Sequence, residues 1–484
     1  MKLRELLNGL DILETNADME ADIHEVQYDS RLVGPGDLFI AVTGAETDGH
    51  KYIPMAREKG AACVLCERAP EDGAPFVRVA DSRRALAVVG GNRFDHPARE
   101  MTMIGITGTS GKTTSTYLIK NILEQKAGAK VGLIGTIQNM IGDRVLHTER
   151  TTPESFALQK LLREMSDAGC THVVMEVSSH ALMLDRVYGI PFAVGIYTNL
   201  SRDHLDFHKT MEAYCDAKAL LMQQCDVGIY NTDDPWAQRL MAHAACRRRF
   251  SYAVNGQADL MAKNVALEPG SVDFDAEADT EWCHVHVGIP ALFTVYNTLD
   301  AMACCWNLGV PLAECADALA KNHGVKGRME IIPTPGTGYT VLNDYAHKPD
   351  ALEKVLQSAK AFAKGRVVAL FGCGGDRDKT KRPVMGEISA RLADFVIVTS
   401  DNPRTEKPEA IIDDILVGLK GYDTPYAVIP DRVAAIHYAM DHAQPGDVIV
   451  LAGKGHEDYQ EIDHKHYPMD ERVIVAEHLK ETQK

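Results

Sequence analysis

Short apolar runs alternate with amphipathic stretches along most of this chain, and polar clusters recur at the carboxyl ends of the apolar runs. Residues 101–107 (MTMIGIT) lack polar alternation, which predicts a strand buried on both faces. A glycine-rich turn follows, then a helix opening at Lys112, Thr113 and Thr114, with an apolar face at Tyr117, Leu118, Ile122 and Leu123. Runs at 171–177, 193–200 and 227–231 predict further short strands, ending in the polar clusters 176–180, 199–208 and 231–235. Ligands of open parallel sheets bind beyond the carboxyl ends of the strands, so these clusters are expected to converge on the glycine-rich turn. From 250 to 289 the pattern becomes strand and turn, with Pro269 and Gly270 in one turn, which predicts a small antiparallel extension. Residues 293–309 return to helix.

Two breaks divide the chain into three regions. Residues 1–98 form a small α/β domain, closed by a linker containing Pro97. Within it, the turn from Gly34 to Asp37 leads into the strand 38–42, and a polar loop at 44–50 follows. Such loops can hold a small polar ligand, although taken alone they are more often turns. A proline- and glycine-rich stretch after Glu330 marks the second break, so residues 99–330 make a central domain with a mostly parallel sheet. Residues 331–484 form a second doubly wound domain, with strands expected at 339–345, 366–375, 394–404, 426–430 and 447–457. A helix is expected over 349–364, with Gly365 as its C-cap. The fold class is α/β in three domains.

Composition narrows the function. With 51 basic against 68 acidic residues the net charge is −17, and only Arg247, Arg248 and Arg249 form a basic run, so nucleic acid is not expected as a partner. No uninterrupted apolar stretch reaches the roughly 18 residues that a membrane span requires. The amino-terminal segment lacks the apolar core of a signal peptide. Eleven cysteines lie scattered, mostly within apolar runs, as expected of reduced core thiols in a cytoplasmic protein. Cys63 and Cys66 form a C-x-x-C pair without the second pair that a zinc site needs.

The glycine-rich turn carries the chemistry. In Gly108, Thr109, Ser110 and Gly111, small residues let backbone N–H groups converge on an anion, and the helix N-terminus adds partial positive charge. Lys112 is placed for the β- and γ-phosphates of ATP, and the Thr113 hydroxyl for Mg²⁺. The spacing is shorter than the usual phosphate loop, whose first glycine would fall on Ile106. Glu176, ending a neighbouring strand, can hold Mg²⁺ through oxygen. His204, beside Asp203 and Asp206, is a candidate ligand or a structural histidine. Lys218 lies on a helix whose apolar face carries it inward, unless it snorkels to water.

With these motifs assembled, the chain resembles the Mur ligases of peptidoglycan synthesis, and among them the diaminopimelate-adding members. The matching stretches are DSR, PGDLFIA and DGH in the first region, and GTSGKTT, TTPE, EVSSHAL, TNLSRDHLDFH and YCDAK in the second. GRME, DYAHKPDAL, GCGGDRD, SDNPR and AGKGHEDYQ complete the series. The resemblance implies an N-terminal domain for the UDP end, a central ATPase and a C-terminal Rossmann-like amino-acid domain. It implies catalytic roles for Lys112, Glu176 and Lys218, and ATP contacts from Gly108 through Thr114 and at Asn297, Arg328 and Asp344. It places the UDP-N-acetylmuramoyl-L-Ala-D-Glu substrate at Ser30, Thr151, Thr152, Ser178 and Arg186. Meso-diaminopimelate falls at Arg377, Asp401, Asn402, Pro403, Arg404, Gly453 and Glu457. Mg²⁺ falls to Thr113, Glu176, His204 and Lys218, the last as a carbamate (N6-carboxylysine).

The implied reaction makes an acyl phosphate from the D-glutamate carboxylate and ATP, which the amine of the added amino acid then attacks. The enzyme is expected to act as a monomer on small molecules. The alternatives are a sibling ligase adding L-lysine or a D-alanine dipeptide, a folylpolyglutamate synthetase, or a non-catalytic scaffold of the same fold. For Arg404 the alternative role is a surface ion pair with Glu406.

Overall fold

The structure, a computed structural model, describes residues 1–44, 47–71, 73–148, 150–268, 270–321 and 324–482. Pro269 of the expected turn, and positions 45 and 46 of the second N-terminal loop, lie outside the described residues. The chain forms two compact units, Met1–Asp259 with Asp300–Val310, and Leu260–Leu299 with Pro311–Lys484.

The first unit holds two sheets. In the N-terminal one the strand order is Ile12–Thr15, Phe76–Val79, Cys63–Cys66, Leu38–Ile40, Val26–Gln27, with only the first pair antiparallel. Strand alternation turns Cys63 and Leu65 toward a core with Leu3 and Leu86, and Val64 and Cys66 toward a second core with Phe39 and Ile53. Cys63 and Cys66 therefore point to opposite faces, which rules out a shared metal or a mutual disulfide. Burial pushes their thiols up to about 12 and about 11.

The larger sheet of this unit runs Arg248–Ala253, Cys225–Asn231, Phe192–Tyr197, Thr102–Thr107, His172–Glu176, Val131–Ile134, and these strands are all parallel. Asn139–Ile141 and Arg144–Leu146 extend it antiparallel. The strand feeding the phosphate loop is thus central, with Ile106 in register with Glu176 on one side and Ile196 on the other. Helix Ser155–Asp167 lays Leu158, Leu162 and Met165 against Met103, Val173 and Met175. Phe156 of the same helix packs into the N-terminal core, its ring 5.2 Å from Phe94 and 6.3 Å from Tyr28.

The second unit contains the antiparallel strands Leu260–Glu268, Ser271–Ala278 and Trp282–Val287. The extension expected from residue 250 therefore begins at Leu260, because Arg248–Ala253 pairs parallel with its neighbour. A six-stranded sheet follows in the order Glu330–Ile332, Thr340–Asp344, Val448–Ala452, Val367–Phe371, Phe395–Val398, Tyr426–Val428. All but its first pair are parallel, giving the doubly wound arrangement expected. No helix among the described residues is long and apolar enough to cross a membrane.

Gly365 does not cap the preceding helix. That helix ends at Phe362, Ala363 is extended, and Gly365 lacks a positive φ. The residue is small because a Cβ there would lie 2.8 Å from both the Gly446 carbonyl carbon and Asp447 Oδ1. Gly365→Ala is accordingly expected to lower stability by about 1–3 kcal/mol through overpacking. A urea midpoint equal to the wild type would show that the two segments are not in close contact.

Candidate functional site

One polar group stands at the carboxyl edge of each parallel sheet. In the first unit, Gly111 takes φ +90° and Lys112 opens the helix Lys112–Lys126. The loop is braced from the neighbouring strand end. Asn199 Oδ1 accepts from Ser110 N at 3.0 Å, and Thr198 Oγ1 donates to the Ser110 carbonyl at 2.7 Å. Lys112 Nζ donates to the carbonyls of Gly108 and Thr109 at 2.9 and 3.0 Å, so its ammonium sits over the loop. Backbone donors, a helix N-terminus and this ammonium make an anion cradle.

Glu176 links the loop to the next group. It is buried, and its Oε1 accepts from Thr113 Oγ1 and from Thr136 N, both at 2.9 Å. Its Oε2 accepts from Thr136 Oγ1 at 3.0 Å, and that hydroxyl is 3.0 Å from Thr151 Oγ1. Thr152 Oγ1 donates to the Glu176 carbonyl and accepts from Ser178 N, while Arg186 reaches the Thr152 carbonyl at 3.1 Å. Thr151, Thr152, Ser178 and Arg186 are thereby brought together beside Thr113. Ser30 is buried in the turn after the edge strand Val26–Gln27.

Lys218 does not snorkel: it is 1% exposed. Its Nζ lies 4.4 Å from the centre of the Tyr214 ring, and burial followed by the nearby Lys112 charge holds its pKa well below the usual lysine value. Tyr214 also meets the phosphate loop, its OH 3.3 Å from Thr109 Oγ1. His204 has φ +52°, stacks edge-on to His180 and faces Asp203 at 3.3 Å.

In the second unit, burial pushes the Asp344 carboxyl up to about 6, against the lowering pull of Arg328 and of the Met329 N–H, which donates to it at 2.7 Å. Arg328 lies over the Tyr345 ring, 5.1 Å from its centre. Asn297 is buried on the helix Leu292–Asn307.

The strand ends of the six-stranded sheet carry the other candidates. Asp401 and Asn402 are buried, and Asn402 Nδ2 donates to Glu457 Oε2 at 2.9 Å. Gly453 takes φ +115°, and a Cβ there would sit 2.5 Å from Asp401 Oδ2. Exposed Arg377 and half-buried Arg404 meet at Gly374, where a Cβ would lie 3.8 Å from Arg377 Cγ and 3.0 Å from Arg404 Nη1. Pro403 carries the chain between Asn402 and Arg404, and its carbonyl backs onto Gly375.

One expectation changes here. Arg404 pairs with Glu461, Nε to Oε2 2.8 Å, and not with Glu406. Glu406 is held by Arg382 at 2.9 Å, a buried arginine that also reaches Asp414. The buried Lys454 donates to Glu457 Oε2 at 2.7 Å and to Asn402 Oδ1 at 2.7 Å. Thr136 and Glu461 gave no sequence signal, whereas Tyr214 and Lys454 lay inside quoted motifs without an assigned role.

The fold and the cradle define an α/β enzyme with a nucleotide-phosphate site in a parallel sheet. Three sequence models of Mur ligases match the chain: the catalytic domain at residues 22–92, the middle domain at 106–305 and the glutamate ligase domain at 327–455. A UDP-N-acetylmuramoyl-L-alanyl-D-glutamate--2,6-diaminopimelate ligase of Clostridium acetobutylicum is 46% identical over 99% of this chain and 100% of its own length. A solved diaminopimelate ligase structure of the same description superposes with TM-score 0.75 at 31% identity, covering 100% of this chain and 99% of that one. The Thermotoga maritima MurF ligase in complex with ADP shares the fold, with TM-score 0.62 at 19% identity, covering 95% of this chain and 97% of that one. The chain belongs to the Mur ligase family.

The raised Asp344 carboxyl has a thermodynamic signature. Its folded value, about 6, lies above the ordinary 3.8, so its contribution to stability is complete below 3.8 and is lost as pH rises through 6. Asp344→Asn, which mimics the protonated form, is expected to gain thermal stability over wild type at pH 8, with the gain shrinking as pH falls toward 4. A difference that does not change with pH would remove Asp344 as the titrating group.

Proposed function

We propose that this chain joins meso-2,6-diaminopimelate to UDP-N-acetylmuramoyl-L-Ala-D-Glu, using ATP and releasing ADP and phosphate, in peptidoglycan precursor synthesis. The observation that carries the reading is the Glu176 junction. One buried carboxylate binds the phosphate-loop residue Thr113 and, through Thr136, the loop bearing Thr151 and Thr152. The γ-phosphate of ATP and the acceptor carboxylate then meet at one place. The names of the full-length relatives support the same substrates. The work divides among residues 1–98 for the UDP end, 99–330 for ATP and 331–484 for the amino acid.

The D-glutamate γ-carboxylate attacks the γ-phosphorus in line, and the bond to the ADP oxygen breaks, giving an acyl phosphate. Lys112 and the loop N–H groups stabilise charge on the transferring oxygens. The unprotonated amine of diaminopimelate attacks the activated carbonyl, the C–O bond to phosphate breaks, and the amine proton passes to a base. Arg404 and Arg377 supply the cationic side chains that bind carboxylate on the incoming amino acid.

The oxygen donors Thr113 Oγ1 and Glu176 suit Mg²⁺, which is commonly held by one or two carboxylates together with substrate phosphates. Thr113 and Glu176, with His204 and carbamylated Lys218, would hold the ion, which when bound offsets phosphate charge. Lys218 suits carbamylation because burial and the nearby Lys112 charge lower its pKa, which favours the unprotonated amine that attacks CO₂.

Lys112→Ala is expected to abolish ADP release that depends on the muramoyl dipeptide and diaminopimelate together, while the far-UV spectrum stays that of the wild type. Turnover near wild type would remove the phosphate-loop assignment. Lys218→Ala is expected to lose activity and to regain part of it with added formate or acetate, which supply the missing carboxylate. Absence of rescue across a series of short acids would count against the carbamate.

A further inference from the structure

The hairpin formed by Tyr459–Ile462 and Lys465–Pro468 is small, and its contacts with the loop after the strand Phe395–Val398 are closely specified. Arg404 N donates to the Glu461 carbonyl at 3.1 Å, and Asp463 N donates to the Arg404 carbonyl at 2.9 Å. Glu461 N donates to Asn402 Oδ1 at 2.9 Å. These bonds hold Arg404 at φ +52°, a conformation that a non-glycine residue adopts only when its surroundings impose it. The side chains repeat the tie, with Arg404 Nε 2.8 Å from Glu461 Oε2, the two being 17% and 19% exposed. On the other side, Arg404 Nη1 donates to the Gly375 carbonyl at 2.9 Å.

A guanidinium anchored at Nε and at Nη1 has its plane fixed, and Nη2 remains for a ligand. We infer that Glu461 is a positioning residue for the amino-acid substrate: it aims Arg404 at the distal carboxylate and so sets the discrimination against lysine. The inference rests on the proposed role of Arg404 and extends it to a residue outside the SDNPR stretch. An arginine left to itself samples many rotamers and loses that freedom on binding. One held by a neighbouring carboxylate has already lost it, so less is lost when the substrate arrives. Exposed ion pairs contribute little, but this pair is mostly buried and its register is set by two backbone hydrogen bonds and one from Glu461 N to the Asn402 side chain.

The test is steady-state kinetics of the full chain, with diaminopimelate varied and ATP and muramoyl dipeptide saturating. Glu461→Ala is expected to raise the KM for diaminopimelate about tenfold, as befits the loss of one mostly buried ion pair that orients the guanidinium, with kcat within about twofold of wild type. The KM for ATP stays unchanged, and the preference for diaminopimelate over lysine falls. Glu461→Gln, which keeps an acceptor oxygen in reach of Nε, is expected to restore the wild-type KM, whereas Glu461→Asp, one methylene shorter, is not. In an Arg404→Ala background, Glu461→Ala is expected to add nothing, since its effect runs through the guanidinium.

A wild-type KM in Glu461→Ala, alongside a raised KM in Arg404→Ala, would overturn the inference and leave the substrate reading standing. A Glu461→Ala effect that persists in full without Arg404 would also overturn it. An unchanged KM in Arg404→Ala would overturn both the inference and the reading beneath it. If Glu461→Ala fails to fold, the contrast between Gln and Asp decides in its place.

Discussion

A buried carboxylate at the end of a central strand can be kept only if its oxygens facing the protein find donors, and Glu176 meets this with two hydroxyls and an amide from two segments. Thr113 donates from the phosphate-loop helix and Thr136 from just past the adjacent strand, and the Thr136 hydroxyl in turn meets Thr151. The glycine at position 135 belongs to the same constraint, because a Cβ there would lie 2.6 Å from Glu176 Oε1. Removing the carboxylate would leave several buried donors unpaired at once, each costing about 1–3 kcal/mol. Satisfying one buried charge therefore brings the phosphate cradle and the acceptor loop together.

The second unit solves a similar problem with cations. Arg432 is fully buried, its Nε 2.8 Å from Glu471 Oε1, and its remaining nitrogens reach the carbonyls of Ser400 and Ala452. Those carbonyls belong to the loops that carry Asp401 and Gly453. Lys454 closes the same region from within, joining Asn402 to Glu457. Breaking a buried pair costs about 3–5 kcal/mol, because the remaining partner keeps its charge without compensation. This edge of the sheet is thus braced from within by buried ion pairs, and Arg404 stands at its rim.

Strands, their parallel order and the clustering of function at their carboxyl ends were legible because they follow from local pattern. An unbroken apolar run predicts a two-sided strand, and a parallel sheet leaves one edge for ligands. The phosphate loop was legible for the same reason, since glycines, lysine and threonine act within one turn of chain. Partner choice was not. Arg404 has Glu406 two residues away, yet it pairs with Glu461, because left-handed backbone at Arg404 turns its side chain toward the hairpin and Arg382 already occupies Glu406. Gly365 read as a helix cap because glycines usually follow helices, whereas the close approach of Gly446 is a contact no local pattern encodes. Lys218 read as either buried or snorkelling, and only its burial beneath the Tyr214 ring distinguishes the two.

Backbone strain follows the same division. His204, Met329, Asp376 and Arg404 are non-glycine residues with φ between +46° and +53°. All four lie in loops that carry candidate site residues. Such conformations cost about 1–3 kcal/mol each and persist only where neighbours over-determine them. Each has its support: His204 N donates to Asp203, Met329 N to Asp344, and Asp376 N to Glu406, while Arg404 is held on both sides by the hairpin. In three of these the support is a carboxylate, so the same side chains that carry charge at the site also hold its backbone. Truncating Glu406 to alanine would release the Asp376 loop it braces as well as remove a charge. Charge and conformation at these loops are one property, which is why sequence patterns that register charge nominate candidate site residues without describing the shape of the loops that carry them.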